Sequence, residues 1–123
     1  MMRHHRSCLF AALLLVPAIA AADTLPLARG AYVQVGTACR GAPNVALRDY
    51  DGQGVGSSKA GQCEGRVLAR VGRRYTLRQS CVQYGGPERR RAIERLKIRV
   101  DTRTSYTDLA DGSHYRLCPA VRS

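Results

Sequence analysis

Cys63 and Cys81 stand at equal distances from Gly72, and the stretch between them carries Arg66, Arg70, Arg74 and Arg78. Thiols at the ends of such a segment could close a disulfide or hold a metal. Guanidinium groups along it could bind carboxylates or phosphates through paired, charge-assisted hydrogen bonds. A structural zinc site needs closely spaced Cys or His ligands, but the chain has no Cys-x-x-Cys pair and His114 is the only histidine beyond His5. Acid–base catalysis is poorly provided for as well. Ser113 and His114 are adjacent, so on a strand they point to opposite faces, and no Asp or Glu pair lies at a spacing that would make two carboxyls converge. The segment 52–61 has glycines at 52, 54, 56 and 61 but lacks the Gly-Lys-Ser or Gly-Lys-Thr ending of a phosphate-binding loop. No catalytic centre, metal or cofactor is expected.

Folding the chain back at Gly72 sets Cys63 opposite Cys81, Val67 opposite Leu77 and Ala69 opposite Tyr75 on one apolar face. The other face then pairs Arg66 with Arg78 and Arg70 with Arg74. Like charges placed directly across a sheet repel, so the stripe invites an anion. Four cysteines beyond residue 22 allow three connectivities, and the hairpin register selects Cys63 with Cys81, leaving Cys39 with Cys118. Loop-closure arithmetic gives about 3 kcal/mol for the short loop and about 4 to 5 kcal/mol for the long one.

The elements that must position these residues begin after an export signal. Arg3 and Arg6 precede the apolar run Leu9–Val16, and small residues follow at Ala18 to Ala22. That is the layout of a signal peptide over 1–22, too short in its apolar part for the about 20 residues of a membrane span. Cys8 would leave with it. Cleavage takes Arg3 and Arg6 from the 20 basic residues and none of the nine acidic ones, so residues 23–123 form a single domain of charge +9. An even number of cysteines in a small exported chain reads as disulfides in the periplasm or outside the cell.

Within that domain, residues 31–35 and 45–50 read as strands, the second closed by the turn Asp51-Gly52. Residues 52–61 read as a mobile loop and 63–81 as a hairpin. From Arg95 to Asp101 the chain alternates without a break, Arg95, Lys97 and Arg99 against Leu96, Ile98 and Val100, which favours a strand over a helix. A helical turn is expected over 88–93. Residues 105–107 and 115–118, with the turn Asp111-Gly112 between them, complete the set. Six to seven short strands and no long helix predict an all-β fold, a small antiparallel β-barrel or sandwich with two disulfides.

Side by side, these strands collect Arg66, Arg70, Arg74, Arg78, Arg95, Lys97 and Arg99 on one face. A surface that served solubility alone would mix both signs. Aromatic groups that could stack on bases are few there, so specific nucleic-acid recognition is not expected. The face suits lipopolysaccharide or another anionic envelope component.

The tip Val71-Gly72-Arg73-Arg74-Tyr75 contains Gly-x-x-Tyr, and here the chain resembles the small periplasmic inhibitors of c-type lysozyme. Those proteins insert a Ser-Gly-x-x-Tyr loop into the lysozyme cleft. Gly72 and Tyr75 match, Val71 stands where the family has Ser, and Ser58-Lys59-Ala60-Gly61 echoes a second family element with Lys near Gly. Leu25-Pro26, Gly30-Ala31-Tyr32-Val33 and Tyr115-Arg116-Leu117-Cys118 also resemble this group of exported proteins. The resemblance implies an inhibitor whose Gly72, Arg73, Arg74 and Tyr75, with Ser58 and Lys59, meet the enzyme. Arg73 or Arg74 could pair with the two catalytic carboxylates, against long-range repulsion between two basic proteins. The alternative is a non-catalytic binder of polyanions that works through Arg66, Arg70, Arg78, Arg95, Lys97 and Arg99.

Overall fold

The computed structural model describes residues 22–120. Apart from Ala22, the expected signal segment 1–22 lies outside the described residues. Eight strands follow one another: β1 (Gly30–Gln34), β2 (Leu47–Tyr50), β3 (Val55–Gly56), β4 (Ala60–Val71), β5 (Arg74–Gln83), β6 (Arg91–Thr102), β7 (Ser105–Asp108) and β8 (His114–Leu117). They form one antiparallel sheet in the order β3-β2-β1-β8-β7-β6-β5-β4. Because β1 pairs with β8 and the two edges β3 and β4 come together, the sheet curls into a nearly closed barrel.

Most differences from expectation have local causes. The eighth strand is β3, inside the segment read as a mobile loop; two residues are too few to show an alternating pattern. Gly54, beside it, is required by close packing, since a Cβ there would lie 2.8 Å from the Cys63 Cβ and 2.9 Å from the Gln79 side chain. Residues Asn44–Ala46 form a 3₁₀ turn behind Pro43, so only Leu47–Tyr50 of the second expected strand is extended. The expected helical turn over 88–93 is also absent, because Arg91, Ala92 and Ile93 pair with Val82, Cys81 and Ser80 and carry β6 outward.

Period-two alternation fills the interior. Tyr75, Leu77, Gln79 and Cys81 on β5 face in, next to Ile98 and Leu96 on β6. Tyr32, Tyr50, Val55, Val100, Tyr106 and Tyr115 belong to the same core. Tyr106 stacks on Tyr115 with ring centroids 5.0 Å apart and meets Tyr32 at 5.5 Å; each such pair adds about 0.5–1.5 kcal/mol beyond burial. Residues 24–28 cross the end of the barrel where β1 begins. Leu25 and Leu27 plug it, and the Tyr50 hydroxyl accepts from the Leu25 amide and donates to its carbonyl, at 2.8 and 3.0 Å.

Both expected disulfides are present, Cys63–Cys81 across the base of the β4–β5 hairpin and Cys39–Cys118 tying the segment after β1 to the end of β8. Such bonds are the covalent signature of an oxidising compartment. No helix among the described residues is long and apolar enough to cross a membrane.

Candidate anion-binding face

On the outside of the barrel, β5 lies between β4 and β6, and the registers place Arg66 beside Arg78 and Arg78 beside Arg95. Three guanidinium-bearing positions thus form one row across three strands spaced roughly 4.8 Å apart. The next outward-facing rows pair Thr76 with Lys97 and Arg74 with Arg99. Arg66, Arg74, Arg78, Arg95 and Lys97 are exposed and take part in no ion pair among the described residues. Arg99 differs: its Nε lies 2.7 Å from Asp101 Oδ1, so its charge is locally matched. At the other end of the face Arg91 reaches Glu64 at 3.5 Å. In water, neighbouring like charges at this spacing cost up to about 1 kcal/mol per pair, and a bound anion would relieve that cost.

Arg70 does not belong to this face. The expected pairing of Arg70 with Arg74, and of Ala69 with Tyr75, is corrected by a β-bulge: Val67 pairs with Leu77 and Ala69 with Thr76, leaving Leu68 as an extra residue. One added residue reverses the parity of the remainder of its own strand against its partner. Arg70 therefore pairs with Tyr75 on the inward side, its guanidinium 5.3 Å from the ring centroid and its Nε donating to the Gly72 carbonyl at 3.1 Å.

The same shift remakes the tip. Val71 pairs with Arg74, so the turn is Gly72-Arg73, with Gly72 at φ +59° in the left-handed region that favours glycine. Val71, Gly72, Arg73 and Arg74 are exposed, Arg73 donating to the Asp101 carbonyl at 3.2 Å, whereas Tyr75 is only 6% exposed and packs in the core. Ser58 and Lys59 lie in the turn before β4, at the opposite end of that 12-residue strand from the tip. At about 3.3 Å per residue the two elements are roughly 35 Å apart. The fold does not bring them together.

No family model, curated protein or solved structure matches this chain.

Three polar arrangements were not legible beforehand. Gln79, fully buried, donates to Glu94 at 2.6 Å and also bonds the backbone of Val55. Its inward parity between Leu77 and Cys81 was the available signal. Cys63, Cys81 and Glu94 gather closely enough for a metal, but the two sulfurs are joined to each other and offer no thiolate. Lastly, Thr107 donates to Asp101 Oδ2 at 2.6 Å and lies 2.7 Å from His114 Nδ1. A hydroxyl has one proton, so Thr107 can donate to only one of its two neighbours, Asp101 and His114. Burial pushes the Asp101 carboxyl up, but its bonds to Thr107 and Arg99 outweigh this and hold it below the ordinary value.

Proposed function

We propose that this protein is a non-catalytic binder of anionic polymers or surfaces in the periplasm or outside the cell, acting through the outer face of β4, β5 and β6. The observation that carries the reading is the row Arg66, Arg78 and Arg95, adjacent on three strands and without a carboxylate partner among the described residues. Lys97 and Arg74 extend the positive field along the strands. Arginine forms paired hydrogen bonds with phosphate or carboxylate, so lipopolysaccharide or another polyanion of the envelope fits the chemistry. The test is retention on immobilised lipopolysaccharide and heparin. The reading expects retention that falls steeply with salt and drops when Arg66, Arg78 and Arg95 become Ser; unchanged retention would leave the face a solvating one.

A second reading, inhibition of a c-type lysozyme, is favoured by the exposure of Val71, Gly72, Arg73 and Arg74 at the end of two long strands. With Tyr75 turned inward, such an inhibitor would act through Arg73 and Arg74. A muramidase assay with purified protein tests it: absence of protection against several c-type lysozymes at micromolar inhibitor removes it.

A further inference from the structure

The Leu68 bulge turns Arg70 into an open cleft of about 480 Å³ beneath the β4–β5 hairpin, between β4 and the segment that plugs the barrel end. The volume lies within the roughly 300–1,000 Å³ of small-molecule pockets. Its apolar lining comes from Leu25, Pro26, Leu27, Val67 and the Tyr75 ring, of which Pro26 and Val67 are exposed. Its charged lining is Arg70, Arg103 and Asp23. Asp23 is already matched, its Oδ1 2.6 Å from Arg29 Nη2. Arg70 and Arg103 take part in no ion pair among the described residues. The Tyr75 hydroxyl, unlike those of Tyr32 and Tyr50, has no hydrogen-bond partner among them and is not sealed from solvent.

A bulge on an edge strand can serve merely to discourage pairing with another chain. That role does not require the displaced side chain to land on an aromatic ring inside a cavity. Here the guanidinium is held by the Tyr75 ring below it and by the Gly72 carbonyl. A donor fixed in this way loses less rotamer entropy when it binds a ligand than a free one does.

We infer that this cleft binds a small organic anion, a phosphate or carboxylate carried on a compact apolar body. The anionic group would meet Arg70 and Arg103 at the rim, and the body would lie on Leu27, Val67 and Tyr75. The site is separate from the outer Arg row, so either can fail without the other.

Titration of the oxidised protein with phenyl phosphate, followed by amide chemical shifts, tests the assignment. Inorganic phosphate and benzyl alcohol serve as the two half-ligands. The expected result is saturable shifts centred on Thr24, Leu27, Val67, Arg70, Tyr75 and Arg103, with phenyl phosphate at least about tenfold tighter than either half-ligand. Arg70→Gln and Arg103→Gln should each weaken binding about tenfold, the loss of one hydrogen bond to a charged group. Val67→Glu should abolish it, and heparin retention should survive all three changes. The triple change of Arg66, Arg78 and Arg95 to Ser should leave phenyl phosphate binding intact. Equal affinity for inorganic phosphate, shifts spread over the outer face, or indifference to Arg70→Gln and Arg103→Gln would each overturn the inference.

Discussion

The side-chain amide of Gln79 bonds the backbone of Val55 as a neighbouring strand would: its Oε1 accepts from the Val55 amide at 3.0 Å, and its Nε2 donates to the Val55 carbonyl at 2.8 Å. β3 has only two residues and forms no ladder with β4. Together with the Gly65 amide donating to the Gln53 carbonyl at 2.7 Å, this side chain helps draw the two sheet edges into a barrel.

Gln79→Ala leaves a buried amide and carbonyl of Val55 without these partners. An expected loss of about 2–4 kcal/mol follows from two unsatisfied backbone groups, measured as a lower urea midpoint for the oxidised protein. Unchanged midpoints would show that water replaces the side chain and that the barrel closes without it.

The two disulfides should differ in weight. Replacing Cys39 and Cys118 by Ser opens a loop of sequence separation 79, against 18 for Cys63 and Cys81. Loop entropy predicts losses of about 4.5 and about 3 kcal/mol. Denaturation of each double variant, compared with the parent, checks the order.

Arg78 sits at the centre of the basic row, between Arg66 and Arg95. Arg78→Glu turns two repulsive cross-strand pairs into attractive ones and should stabilise the fold by about 0.2–1 kcal/mol per pair. The same change should reduce heparin retention and lower the slope of log affinity against log salt by about one or two units. A variant that is more stable but binds less would show that the repulsion is retained for binding.

Asp101 sets part of the acid limit. Its folded-state carboxyl titrates below the ordinary value: burial raises it, but the Thr107 hydroxyl and Arg99 lower it further. A depressed carboxyl stabilises the fold above its unfolded pKa, and that contribution disappears as pH falls through the folded value. Asp101→Asn should therefore narrow the stability difference between pH 6 and the range below about pH 4, read from thermal melts across pH. An identical acid limb in the variant would remove Asp101 from the account.

Much of the fold was legible along the chain because it is written in period two and in covalent chemistry. Leu96, Ile98 and Val100 alternate with Arg95, Lys97 and Arg99, and the structure keeps that alternation across β6. The symmetry of Cys63 and Cys81 about Gly72 led to both disulfides. β3 was not legible, since Val55–Gly56 is a strand only through its partners on β2 and Gln79. Within the candidate face, Arg66, Arg78, Arg95, Lys97 and Arg99 lie where alternation puts them. Arg70 does not, because nothing in its neighbours announces that Leu68 will be an extra residue.

The residues alone determined the class, an all-β chain with two named disulfides and a strongly one-signed charge, because alternation and cysteine pairing act at short range or through a single register. Only the tertiary structure decided which arginines share a face, that Tyr75 belongs to the core and not to the tip, and that the Ser58-Lys59 turn and the hairpin tip stand at opposite ends of the barrel. The physical reason is parity. In a sheet the side chain of each residue is assigned to inside or outside by counting from its partner, and the bulge at Leu68 changes the count for Ala69, Arg70 and Val71 while β5 and β6 keep theirs.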